Sequence, residues 1–251
     1  MNYAIITGGS KGLGAAIVKQ LLQEPIHIFS VARTNNPEMT LFSESTDAIF
    51  EDVPFDLSET EKIPEVVQNI FKKINLERAE RIFLINNAGV ITPIKPIQNA
   101  DPLEISRNIS INLTAPLIFS SCFIKQTEKY KLDKRIINIS SGASRSPIYG
   151  WSSYGSSKAG VNLFSQTVAI EQKQQPFPVQ VCAFAPGIID TGMQEEIRST
   201  DKTDFTELAR FQAYKAEGHL MAANRVAKVI SDLLYANDFP NGEVVSIQQY
   251  T

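Results

Sequence analysis

Three side chains within residues 140–158 have types and spacing suited to moving a proton. Tyr154 and Lys158 are four residues apart, so on a helix they share one face, about one turn from each other. A phenol beside an ammonium is a tuned acid. The nearby positive charge favours phenolate, so the tyrosine pKa is expected to fall from about 10 towards the working range. Ser141 lies upstream at the end of an apolar strand and can bring its hydroxyl to the same point. Two hydroxyls and one ammonium would then converge where a substrate oxygen changes charge. The same pattern has plainer uses: Tyr-x-x-x-Lys decorates many solvated helix faces, and a serine-rich turn is often a cap and a loop. What flanks it decides.

The strand leading to Ser141 is expected at 135–139. The helix carrying Tyr154 and Lys158 is expected from near Ser152, through Val161, Phe164 and Val168, towards Glu171. Tyr149 and Trp151 sit just before the acid, where they either wall an aromatic pocket or pack the loop–helix junction.

The N-terminal end supplies a second kind of site. Residues 2–7 read as a buried strand, followed at once by Gly8-Gly9-Ser10-Lys11-Gly12-Leu13-Gly14 and a helix with Leu13, Ala16, Ile17 and Leu21 on one face. Strand, glycine turn and helix start make a phosphate cradle, in which free N–H groups point at an anion. Gly8, Ser10, Lys11, Leu13 and Gly14 are its candidate residues. The glycine spacing is Gly-x-x-x-Gly-x-Gly, and the position after the first strand gives it meaning. A second strand at 26–31 ends in Ala32-Arg33-Thr34, with no acid until Glu38. An acid there would bind a ribose 2′-hydroxyl and repel a 2′-phosphate, whereas Arg33 can pair with that phosphate bidentately and Lys11 can reach it. The expected cofactor is therefore NADP (NADPH) over NAD.

Further along, 34–46 reads as an irregular surface connection and 48–50 as a weak strand closed by 55–57. Asp56 could accept from an adenine amino group or cap the helix expected at 60–74. A strand at 81–85, apolar after Arg81 and suited to burial on both faces, ends in Asn86-Asn87-Ala88-Gly89. There small residues let a ring lie against backbone and asparagine amides can tie strands together. One long helix is expected over 103–129, with Asn112 on its buried face holding a backbone carbonyl or a water. The strand at 179–184 ends in a turn, Ala185-Pro186-Gly187-Ile188-Ile189-Asp190-Thr191, that crosses the strand ends, where open α/β sheets bind ligands. Thr191 is placed to bond a carboxamide or pyrophosphate. Residues from about 190 to 220 are charged and broken by Gly218, as a lid at a site mouth would be, with Met193 and Ile197 candidates to face substrate. A helix at 224–234 and a strand at 243–247 complete the chain.

Strands alternating with helices over 251 residues, 43% hydrophobic and 20% charged, indicate one doubly wound α/β domain spanning 1–251. A net charge of −3 gives no broad basic field, against nucleic acid as a partner. No apolar run approaches the roughly 20 residues that span a bilayer, so neither a membrane nor a secretory route is expected and the cytoplasm is the default location. Cys122 and Cys182 lie in apolar runs and read as core residues.

These motifs occur in register along almost the whole chain, and together the sequence resembles the short-chain dehydrogenase/reductase family. The likeness rests on Gly8-x-x-x-Gly12-x-Gly14, Asn86-Asn87-Ala88-Gly89, Asn112, Ser141, Tyr154-x-x-x-Lys158 and Pro186-Gly187. It implies a seven-stranded parallel Rossmann sheet in the order 3-2-1-4-5-6-7. It also implies hydride transfer to a carbonyl, with Tyr154 as general acid, Ser141 on the substrate oxygen and Lys158 on the nicotinamide ribose. Asn112 would anchor a water that returns protons through Lys158. Within the family, 138–143, 150–154, 184–194 and 197–199 resemble reductases of aryl 1,2-diketones, relatives of those acting on pterin side-chain diketones. The partners implied are a small carbonyl substrate and, by analogy, other copies of the chain in a dimer or tetramer. An NADP-binding sensor without turnover is the non-enzymatic alternative, and the intact Ser141, Tyr154 and Lys158 argue against it.

Overall fold

Strands β1 (Asn2–Thr7), β2 (Ile26–Ala32), β3 (Ile49–Pro54), β4 (Arg81–Asn86), β5 (Asp133–Ile139), β6 (Gln180–Ala185) and β7 (Val244–Ser246) alternate with helices. The helices are α1 (Gly12–Leu21), α2 (Pro37–Ser43), α3 (Ile63–Phe71), α4 (Pro102–Ile109), α5 (Ala115–Thr127), α6 (Ser152–Gln172), α7 (Gly192–Arg198), α8 (Leu208–Ala216) and α9 (Ala223–Tyr235). The computed structural model describes residues 1–250. All strand pairs are parallel, in one sheet ordered β3-β2-β1-β4-β5-β6-β7. This is the order that the family likeness implied.

The sheet is apolar on both faces because helices cover both, which is why β1, β2 and β4 read as nearly unbroken hydrophobic runs. Side chains alternate between faces with period two. Ala4 and Ile6 pack with Ile17 of α1 and Ile230 of α9. Ile5 packs on the opposite side with Val67 of α3 and Phe119 of α5. Connection order reverses between β2-β1 and β1-β4, so a crevice opens at the carboxyl ends of β1 and β4.

Three segments depart from the sequence reading. The stretch at 34–46 is not irregular, because it holds α2. Asn36 caps that helix by accepting from the Met39 N–H at 3.3 Å, and Pro37 takes the first turn. So short a helix shows little apolar periodicity. The long helical stretch expected over 103–129 is continuous over 102–127, but a π-helical turn, Ser110–Thr114, that contains Asn112 separates α4 from α5. Hydrophobic spacing does not register one extra residue in a turn. Residues 60–62 form a 3₁₀ turn and α3 proper begins at Ile63, with Pro64 in its first turn.

Candidate active site

A cavity of about 1160 Å³ lies over the carboxyl ends of the strands. Of the residues named from sequence as cofactor contacts, all but Asn86 line it. Asn86 works one layer below. Its Nδ2 donates to Asn138 Oδ1 at 2.8 Å and to Ser120 Oγ at 3.1 Å, tying β4 to β5. Asn87 ties β4 to β1, its Nδ2 donating to the carbonyls of Thr7 (3.0 Å) and Gly8 (3.2 Å). The amides therefore clamp the strand ends together, and Ala88 and Gly89 face the open trench.

At one end of the trench, the start of α1 carries no acidic side chain and no side-chain cap. Its first N–H groups are left to a ligand. Gly14 cannot be replaced without moving backbone, since a Cβ there would lie 2.0 Å from the Gly8 carbonyl oxygen. Arg33 and Lys11 are exposed at this end, and neither is in an ion pair among the described residues. Thr34 Oγ1 donates to Ser10 Oγ at 3.2 Å and Asn36 Nδ2 to the Ser10 carbonyl at 3.2 Å, which fixes the glycine turn against the end of β2. Asp56 does cap the following turn. It accepts from Ser58 N–H (2.9 Å) and Oγ (2.8 Å) and pairs with Arg107 at 3.1 Å. Burial opposes its ionisation, but these bonds outweigh it and hold its carboxyl below the usual range.

At the other end, Ser141, Tyr154 and Lys158 meet at one wall. Ser141 stands where β5 runs out. Its Oγ accepts the Ala143 N–H at 3.2 Å, and its hydroxyl bonds the Tyr154 side chain. Lys158 is buried, its Nζ donating to the Ile139 carbonyl at 2.8 Å and lying 5.8 Å from the centre of the Tyr154 ring. Desolvation lowers its pKa to about 8. The expected depression of the Tyr154 pKa is not found. Burial raises it, and the neighbouring Ser141 hydroxyl only partly opposes this. Residue spacing shows the attraction between ammonium and phenolate but not the low dielectric around both groups. A phenol that holds its proton at neutral pH is the form a proton donor needs.

Asn112 does not line the cavity. Its Nδ2 donates to the Val90 carbonyl (2.7 Å) and to Asn108 Oδ1 (2.9 Å), and its Oδ1 accepts the Val90 N–H at 2.9 Å. The backbone carbonyl expected as one of its partners is that of Val90. Asn112 thereby pins the loop behind Gly89, where an added Cβ would sit 3.1 Å from Asn112 Oδ1 and 3.7 Å from Lys158 Nζ.

Trp151 packs the loop–helix junction, as one of its two readings has it. It lines the cavity, and it also stacks on Phe205 at 5.3 Å and meets Tyr154 and Phe211 edge-on at 5.5 and 5.4 Å. Tyr149 is 48% exposed and lies outside the cavity lining. Met193 and Ile197 of α7 line the cavity. Phe211, Arg210 and Gln194 do too, and the sequence reading did not name them. Their only signal was the aromatic content of a charged segment, because i,i+3 spacing in short helices does not say which face looks inward. The 190–220 segment is stitched at its base. Asp190 N–H donates to the Met221 carbonyl (3.0 Å), Met221 N–H to the Ile188 carbonyl (2.9 Å), and Lys215 pairs with Asp190 at 2.7 Å. The 201–205 turn lies close against the start of α6. Gly150 has φ +82, and a Cβ there would lie 2.7 Å from the Asp204 carbonyl oxygen.

The trench fits a dinucleotide. An uncapped helix start faces a diphosphate position, backbone approaches closely at Gly8, Gly14 and Gly89, and Asp56 is the one carboxylate in the lining. Ser141, Tyr154 and Lys158 stand where the ring end would lie.

Comparison with known proteins agrees with this geometry. The family model described as short chain dehydrogenase matches residues 2–202. A Bacillus cereus protein named benzil reductase ((S)-benzoin forming) is 45% identical over 251 residues, covering 99% of this chain and 100% of that protein. A sepiapterin reductase from Meriones unguiculatus is 29% identical, covering 95% and 93%. Among solved structures, ElxO with NADP bound superimposes with a TM-score of 0.78 at 25% identity, covering 98% of this chain and 96% of that one.

Proposed function

From the premise that this chain belongs to the short-chain dehydrogenase/reductase family, we propose that it reduces one carbonyl of an aryl 1,2-diketone to a hydroxyketone with NADPH. The observation that carries this reading is the convergence of Ser141, Tyr154 and Lys158 beside an apolar box of Ile91, Trp151, Ile197 and Phe211. Planar aromatic groups suit such a box. The most similar relative reported above bears the name of a benzil reductase.

The α1 N-terminus, Asn87, Gly89 and Thr191 would hold the dinucleotide, with Arg33 and Lys11 on a 2′-phosphate. When bound, that cofactor supplies hydride to the carbonyl carbon. The work of this chain is done at the oxygen. Ser141 donates a hydrogen bond to it and fixes the plane of the carbonyl. Tyr154 gives its proton as negative charge develops there, a contribution of about 10²–10⁴-fold. Lys158 holds the ribose and places positive charge beside the phenol as it loses its proton. The proton consumed comes from solvent, so carbonyl, NADPH and H⁺ become alcohol and NADP⁺. Segment 190–220 acts as the lid that excludes water, within one domain. Assembly as a dimer or tetramer and a cytoplasmic location belong to the same reading. No helix among the described residues is long and apolar enough to cross a membrane.

The likeness to sepiapterin reductase supports a second substrate class, pterin side-chain diketones. NADPH oxidation over a panel of aryl diketones, pterin diketones and simple ketones, with chiral analysis of products, separates the two. Aryl 1,2-diketones are expected to give the highest kcat/KM. No turnover on any carbonyl, with cofactor bound, would reject the reading in favour of a sensor.

A further inference from the structure

The buried face of α6 is polar where an apolar side chain would pack as well. Val161 and Val168 follow the expected pattern, but Ser157, Lys158, Asn162 and Ser165 share the face with them and are nearly inaccessible. A buried polar side chain persists in a helix when it has partners. Ser157 bonds Asn108 and Ser165 bonds Asn138, both below the reacting groups. Asn162 is different, because its partners flank Ser141 on either side.

Asn162 lies one turn beyond Lys158. Its Oδ1 accepts from Ser140 Oγ at 2.5 Å, and its Nδ2 donates to Ser144 Oγ at 2.8 Å. Ser144 Oγ in turn donates to the backbone carbonyl of Ser141 at 2.6 Å. The residue before Ser141 is thus held directly and Ser141's own carbonyl is held through one hydroxyl. The Ser141 carbonyl accepts the Ser144 N–H as well, at 3.1 Å. The Ser141 hydroxyl, which accepts the Ala143 N–H and bonds Tyr154, is outside this network.

We propose that Asn162 is a positioning residue for Ser141. It locks the 140–144 turn to the same helix that carries Tyr154 and Lys158, so that both hydroxyls reach the reacting oxygen in fixed register. The inference rests on the reading of Ser141 given above. Without the clamp, the turn keeps the Ser140 N–H bond to the Phe184 carbonyl (2.8 Å), its own internal bonds, the Lys158 bond to the adjoining Ile139 carbonyl and the packing of Ala143. A hydroxyl displaced by about 1 Å from its productive place costs on the order of 10²-fold in rate.

The test is a double-mutant cycle on kcat, with NADPH affinity followed by fluorescence. Asn162→Ala should lower kcat by roughly tenfold to a hundredfold and leave the NADPH dissociation constant unchanged. In a Ser141→Ala background the same change should cost less than about twofold, because the group it positions is gone. Equal losses in both backgrounds, or no loss with Ser141 present, would overturn the inference while leaving the role of Ser141 intact. If Ser141→Ala itself costs nothing, the reading of Ser141 fails and the inference falls with it. Ser144→Ala removes only the half-buried link and serves where Asn162→Ala does not fold. It should show the same dependence on Ser141, and independence from Ser141 counts against the proposal.

Discussion

Lys158 is a buried ammonium with no carboxylate partner among the described residues, and that burden can be measured. Its pKa of about 8, against 10.5 in the open chain, corresponds to about 3 kcal/mol of instability at neutral pH. The sign follows from proton binding. Between about pH 8 and 10.5 the unfolded chain binds more protons at this site than the folded one, so stability rises with pH across that window. Lys158→Met keeps the stem and removes the charge. It also removes the bond to the Ile139 carbonyl, a loss of about 1 kcal/mol. At pH 7 the variant should therefore be more stable than the parent by about 2 kcal/mol, or ~4–8 °C in Tm for a chain of this size. The advantage should shrink through pH 8–10.5 and end as a deficit of about 1 kcal/mol, while reductase activity is lost throughout. Urea unfolding of both proteins at four pH values reads this directly, and comparison at each pH cancels every other titrating group. A variant less stable at pH 7, or a difference that does not change with pH, would refute the reasoning that the active-site lysine is held at the expense of the fold.

Two further changes probe the ends of the cavity. Arg33→Ala should raise KM for NADPH by about tenfold to a hundredfold, the worth of charge-assisted bonds to a phosphate, and leave KM for NADH nearly unchanged. Equal effects on both cofactors would remove Arg33 from the 2′-phosphate. Trp151→Ala opens the cluster with Phe205 and Phe211 and should cost about 3 kcal/mol in urea unfolding. It should also raise KM for an aryl diketone more than for butane-2,3-dione, and an equal rise for both would leave Trp151 a packing residue only.

The architecture was legible because the physics that sets it is local and repeated. Largely apolar runs at 2–7, 26–31 and 81–85 mark strands covered on both faces, and glycine at positions 8 and 14 marks a close approach of backbone. The nearness of Tyr154 and Lys158 was legible for the same reason, since they are one helical turn apart whatever surrounds them. What failed was everything set by surroundings. Four-residue spacing says that an ammonium lies near a phenol, yet burial of both reverses the expected shift at Tyr154. The turn at Asn112 inserts a residue that hydrophobic spacing cannot detect. Asn162 looks like any polar residue on a helix until Ser140 and Ser144 fold back over it. Phe205 and Phe211 of the 190–220 segment meet Trp151 only because the segment closes on itself at Asp190 and Met221.

The account depends most on proton donation by Tyr154. Single-turnover oxidation of NADPH by the Tyr154→Phe protein, with an aryl 1,2-diketone in excess and cofactor affinity measured alongside, tests it directly. The expected result is a rate lower by about 10²–10⁴-fold with an NADPH dissociation constant within about twofold of the parent. A near-parental rate with cofactor bound would contradict it and leave the reacting oxygen without its acid.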